Sequence, residues 1–261
     1  RARRRGRRTR SCVRSIRARR PDWTDPATEK LLEANAWALR SFGLAAHLLR
    51  RDDWLEVVHG TVAWAEATLA LPDGLWGASQ AADDTLHAGG HADEQPPVDR
   101  TVLTDANAQW IAALAEVGGR LGRADWVSRA ELGLETLLDA MRADDGLLFH
   151  YRAEGEDPAL AGLLSDVVET ARACLVVAQA AGEPVWADRA RELAEVMSDR
   201  FWADEGGFND IAPPVERVGA LARAVRPFET NATAAAVLVD LSLLEQGRRW
   251  RALAERALAV L

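Results

Sequence analysis

Residues 164–209 constrain the fold more than any other part of the chain. Val167, Ala171, Cys174, Leu175 and Ala178 recur at helical spacing, and Trp186, Ala190, Leu193, Ala194, Met197 and Phe201 do so again further on. Between the two runs Gly182-Glu183-Pro184 breaks the helix. The pattern predicts two helices joined by a tight turn, each with one apolar stripe. A lone hairpin cannot bury such stripes, so it must stack on copies of itself. Three copies are legible: helices are expected over 30–49 and 54–69, over 105–121 and 126–141, and over 231–246 and 250–261. In each copy a tryptophan (Trp54, Trp126, Trp186, Trp250) is expected to begin the second helix just past the turn, where the ring is read as packing that fixes the turn.

The links between hairpins are long, covering 70–104, 142–163 and 203–230, and long ordered links in a compact domain usually carry function. Helix direction alternates, so all three emerge at one end of the array. They open alike, with Asp73-Gly74-Leu75-Trp76, Asp145-Gly146-Leu147-Leu148-Phe149 and Glu205-Gly206-Gly207-Phe208, each expected to form a small β-turn element over that end. Stacked hairpins with one-sided links point to an all-α fold, an α/α toroid rather than an open solenoid. A closed ring of this kind takes six hairpins and four are visible, so the chain is expected to be a partial toroid lacking its first hairpins.

Charge and cysteine use exclude several function classes. Eleven of the 32 basic residues fall in residues 1–20, leaving 21 basic against 40 acidic residues in the rest. Residues 21–261 are therefore a poor binder of nucleic acid or anionic membrane, and the Arg-rich 1–20 is read as an extension outside the toroid domain. Cys12 and Cys174 cannot form a disulfide framework or a Cys-x-x-Cys site, which fits a reducing, cytoplasmic setting. No apolar run reaches the roughly 20 residues of a membrane span.

The first helix of each hairpin starts on the long-link side with polar residues. Thr104 or Asp105, Ser165 or Asp166, and Thr230 or Asn231 are expected N-caps. If the ring closes, these positions also surround one mouth, where carboxylates and amides would suit a polyhydroxylated ligand. Asp105 and Asp166 are the acid/base candidates, since glycoside chemistry needs two carboxyls. Glu29, Asn35, Asp83, Asn107, Glu229 and Asn231 are the candidate sugar-positioning residues. An epimerase would use histidine instead, and His150 in the second link is the best placed. His87 and His91 lack a third ligand pattern, and no phosphate loop, Gly-x-Ser-x-Gly or His-Glu-x-x-His occurs, so neither metal nor cofactor is expected.

The segment Trp23-Thr24-Asp25-Pro26-Ala27-Thr28-Glu29-Lys30-Leu31-Leu32-Glu33-Ala34-Asn35 resembles the Trp-x-x-Pro-His-Phe-Glu-Lys-Met-Leu-Tyr-Asp-Asn segment of the thioredoxin-domain-containing family that includes the spermatogenesis-associated proteins. Ser79-Gln80-Ala81-Ala82-Asp83 is similar to its Ser-Gln-Asp-Ala-Asp, Leu103-Thr104-Asp105-Ala106-Asn107 to its Leu-Thr-x-Trp-Asn, and Leu164-Ser165-Asp166 to its Leu-Glu-Asp-Tyr, while Glu229-Thr230-Asn231 sits near its Ser-Gly-Asn. The resemblance implies a six-hairpin glycosidase-like toroid, related in fold to N-acylglucosamine 2-epimerases and normally preceded by a thioredoxin-like domain. The family's His-Phe is Ala27-Thr28 here, its Tyr-Asp is Glu33-Ala34, its Trp is Ala106 and its Tyr is Val167. Two functions are expected from these observations: a glycosidase- or epimerase-like domain acting on or binding a sugar at the long-link face, or a non-catalytic toroid serving a thioredoxin-like partner domain.

Overall fold

The structure, a computed structural model, describes residues 29–81, 96–213 and 225–260. Among these, eight helices form four hairpins: α1 (Leu32–Leu49) with α2 (Asp52–Thr68), α3 (Thr104–Leu121) with α4 (Ala124–Met141), α5 (Leu164–Ala181) with α6 (Pro184–Phe201), and α7 (Phe228–Glu245) with α8 (Arg248–Leu258). The first helix of each hairpin packs on the first helix of the next, so α1, α3, α5 and α7 make an inner row with their partners outside. The apolar stripes meet between the rows, burying Trp76, Trp110, Phe201, Phe208 and Trp250.

Each tight turn is built the same way. The first helices end on a left-handed residue (Arg50, Gly122, Gly182, Gln246), and the expected tryptophan is the third residue of the following helix. In three turns an arginine lies over that ring: Arg51 on Trp54, Arg123 on Trp126 and Arg249 on Trp250, with ring-to-guanidinium distances of 4.8, 4.3 and 4.4 Å. The stack ties the turn to the helix it starts.

Small residues set how closely the inner helices approach. A Cβ at Gly43 would meet Val117 at 2.6 Å, and one at Gly119 would meet Ala180 at 3.5 Å. In α5 the equivalent positions hold the larger Leu175 and Gln179. A cavity of about 500 Å³ lies there, lined in part by Leu175, Gln179, Leu243 and Leu244.

The mouth departs from the capping expectation. The N-caps of the inner helices are Leu31, Leu103, Leu163 and Pro227, all extended and none capping through its side chain. Neighbouring links supply the missing acceptors: Leu32 N–H donates to the Ala78 carbonyl and Leu164 N–H to the Asp210 carbonyl, both at 2.9 Å. Thr104, Asp105, Ser165, Asp166, Thr230 and Asn231 therefore lie inside the first helical turn rather than at the N-cap, and of Asp105 one oxygen still accepts a first-turn N–H, that of Ala106, at 2.8 Å.

The links fold as small antiparallel elements. Strands β1 (Lys30–Leu31), β2 (Ser79–Gln80) and β3 (Val98–Asp99) form one three-stranded sheet, with Leu31 opposite Ser79 and Ser79 opposite Asp99. Strands β4 (Val102–Leu103), β5 (Phe149–Arg152) and β6 (Ala159–Ala161) form the other, with Leu103 opposite Tyr151 and Tyr151 opposite Ala159. All three glycine turns are present: Gly74, Gly146 and Gly206 have φ of 95°, 85° and 103°, where a side chain is strained, and their flanks pair as Ala70–Trp76, Arg142–Leu148 and Trp202–Phe208.

Candidate active site

The inner helices share a register, and their fourth residues explain how two of the links are held. Asn107 Nδ2 donates to the carbonyls of Trp76 at 2.9 Å and Leu103 at 3.0 Å, while its Oδ1 accepts the Trp76 N–H at 2.9 Å. Asn231 repeats this on Phe208, with bonds of 2.9 and 2.7 Å to that residue and 2.9 Å to the Pro227 carbonyl. Asn35 occupies the same position and donates to the Leu31 carbonyl at 2.8 Å. All three side chains are fully buried, and the amides of Asn107 and Asn231 are committed to main chain. Glu29 accepts from Ser79 Oγ at 3.3 Å beside β1, and Glu229 is exposed at the start of α7. Asp83, His87 and His91 lie outside the described residues.

In α5 the fourth residue is Val167, and the preceding position carries Asp166. This carboxylate has no exposed surface and faces His150 of β5, whose Nδ1 lies 3.0 and 3.2 Å from its two oxygens. The strand is delivered to this spot because β5 pairs with β4, which runs directly into α3, and because Thr104 Oγ1 donates to the Phe149 carbonyl at 2.5 Å. Asp105, second residue of α3, completes a triad: Asp105, His150 and Asp166 each present one polar atom within 4.8 Å of the others. Asp105 and His150 are part-exposed, His150 with 24% of its side chain accessible.

Burial pushes the Asp166 carboxyl up to about 6; the Asp105 charge adds to the rise, and the hydrogen bond from His150 opposes it. His150 is raised above the ordinary imidazole value by its hydrogen bond to Asp166, against desolvation and with help from the charges of Asp166 and Asp105. The pair thus keeps its protons to higher pH than either group in water. With Nδ1 held by the carboxylate, Nε2 is directed away from Asp166 as the nitrogen able to give or take a proton at a ligand. These three side chains are also, among the described residues, the ones whose donors lie close enough together for a metal ion. Cys174 is unsuited to nucleophilic work, since burial pushes its thiol up to about 12.

Asp105, His150 and Asp166, drawn from a helix, a link and a second helix, are thus brought together, whereas Asn107 and Asn231 are committed to separate links. Thr104, an expected N-cap, seats β5 instead, a role with no sequence signal beyond a polar residue at a helix start.

The sequence matches no protein-family model and no curated protein. Solved structures do match. A D-mannose isomerase superposes with a TM-score of 0.73 at 12% identity over 91% of this chain and 61% of its own. A cellobiose 2-epimerase from Spirochaeta thermophila gives 0.70 at 17% identity over 90% and 60%, and a GH76 alpha-mannanase from Bacteroides thetaiotaomicron gives 0.64 at 12% over 90% and 58%. The fold is the six-hairpin glycosidase-like α/α toroid, and the chain spans about three-fifths of the length of these structures. Identities this low carry fold alone.

Proposed function

We propose that this toroid binds a sugar at its long-link mouth and that His150 moves a proton at the carbon beside the sugar's carbonyl, as in an isomerisation or epimerisation. The observation that carries the reading is the buried Asp166 gripping His150 Nδ1 while the imidazole remains part-exposed next to Asp105. Asp166 is then a positioning residue. Asp105 is the second proton-handling or hydroxyl-binding group. A two-carboxylate glycosidase is less well supported, because both Asp166 oxygens face His150 and the side chain is sealed from a substrate. The neighbours that act on sugars by name support the same substrate class. Asn107 and Asn231 contribute by holding the links that frame the mouth, the buried Asn35 by bonding the Leu31 carbonyl at the start of α1, and Glu29, Asp83 and Glu229 are the candidates for contacts around it. The cysteine pattern favours a reducing, cytoplasmic setting.

The test is solvent deuterium uptake at C2 of mannose and glucose, followed by NMR. Wild type is expected to exchange, and His150→Ala to lose at least about 100-fold, the usual worth of a general base. Because Nε2 must be unprotonated, the rate should rise with pH through the raised His150 value. Asp166→Asn removes the first cause of that rise, so its acid limb should move to lower pH. Exchange by His150→Ala at the wild-type rate overturns the proposal. Absence of exchange with every sugar and in every variant, with folding intact, favours the alternative reading of a non-catalytic toroid.

A further inference from the structure

The sixth residues of the inner helices, one turn below the mouth, are Trp37, Gln109, Glu169 and Thr233, and all four line one small cavity of about 80 Å³ together with Arg40 and Arg172. The first and last inner helices thus reach a common space, so the row curls round it. Gln109 stands four residues, about 6 Å along α3, beneath Asp105. The cavity is the floor of the proposed site.

Three features of this floor point to a ligand. Trp37 is 62% exposed, a large ring left uncovered on the inner wall. Gln109 Oε1 is buried with no hydrogen-bond partner, an acceptor that a hydroxyl would satisfy. Both guanidiniums are already neutralised, Arg172 by Glu169 at 2.8 Å and Arg40 by Glu116 at 2.7 Å, so the cavity offers donors and acceptors without net positive charge. An indole face beside paired charges and an unfilled amide suits the apolar face and hydroxyls of an uncharged sugar ring, and gives no grip to a phosphate or carboxylate.

Resting on the reading that a sugar reacts at His150, we infer that Trp37 and Gln109 form a second subsite below it, and that the substrate is an uncharged sugar of at least two rings. The reacting ring sits at the level of Asp105 and His150, and the next ring lies over Trp37.

Calorimetric titration of the full chain with cellobiose, mannobiose, glucose, mannose and glucuronate tests this without requiring turnover. Wild type is expected to bind the disaccharides at least tenfold more tightly than the monosaccharides, and glucuronate more weakly than glucose. Trp37→Ala should bring the disaccharide-to-monosaccharide ratio to within twofold of unity, while Trp37→Phe keeps most of it. Saturation-transfer NMR on wild type, independent of any variant's folding, should show both rings of the disaccharide in contact. A ratio unchanged in Trp37→Ala, contact confined to one ring, preference for glucuronate, or no binding of these sugars overturns the inference. Length-dependent binding without deuterium exchange leaves the subsite standing and removes the role of His150, whereas exchange on monosaccharides with no length preference does the reverse.

Discussion

The first and third links are tied down by an amide, and the second by a titratable pair. Asn107 and Asn231 hold Trp76 and Phe208 with uncharged hydrogen bonds that are the same at every pH. The corresponding residue facing the second link is Val167, and here the Leu148 carbonyl takes the Gly162 N–H at 3.3 Å instead. That link is anchored through Thr104 on Phe149 and Asp166 on His150. The difference teaches where chemistry can be placed in a repeat: the copy that dispenses with its amide clamp is the one whose link carries an imidazole against a buried acid.

The largest effect should come from breaking an amide clamp. Asn107→Ala leaves the Trp76 N–H and carbonyl buried without their partners and should cost about 3 kcal/mol, at 1–3 kcal/mol for each stranded group. Urea unfolding at pH 5 and pH 8 should give the same loss; a loss that changes with pH would erase the contrast between links.

The second link should behave oppositely. The Asp166 carboxyl is raised from 3.8 to about 6, so its contribution to stability is full below pH 3.8 and disappears as pH rises through 6. The raised His150 acts with the same sign, its contribution being full below 6.5 and lost as pH climbs through its folded value. The Asp166 shift alone is worth up to about 3 kcal/mol. Asp166→Asn should therefore flatten the fall in stability between pH 4 and pH 7, measured by unfolding midpoints. A slope as steep as wild type would mean that another group controls this link.

A smaller effect sharpens the same point. Val167→Asn places an amide where the other copies have one, but the Leu148 carbonyl is already engaged, so the change should cost about 1–2 kcal/mol rather than stabilise. A gain in thermal midpoint would show that the second link can be clamped like the first.

The repeat was legible in the sequence, because apolar spacing and breakers are local and recur: four hairpins and the glycine turns stand where these signals place them, with each second helix starting two residues ahead of its tryptophan. Asp105, His150 and Asp166 were legible only as separate polar residues near one end. Their meeting depends on β5 pairing with β4 and on α3 packing against α5, contacts between segments distant along the chain that no local pattern encodes. The same holds for Asn107 and Asn231: a polar residue in a first helical turn reads alike whether it faces a cavity or a buried main chain. Tertiary packing decided that difference, by bringing a link's unpaired backbone groups against the amide and sealing both from water.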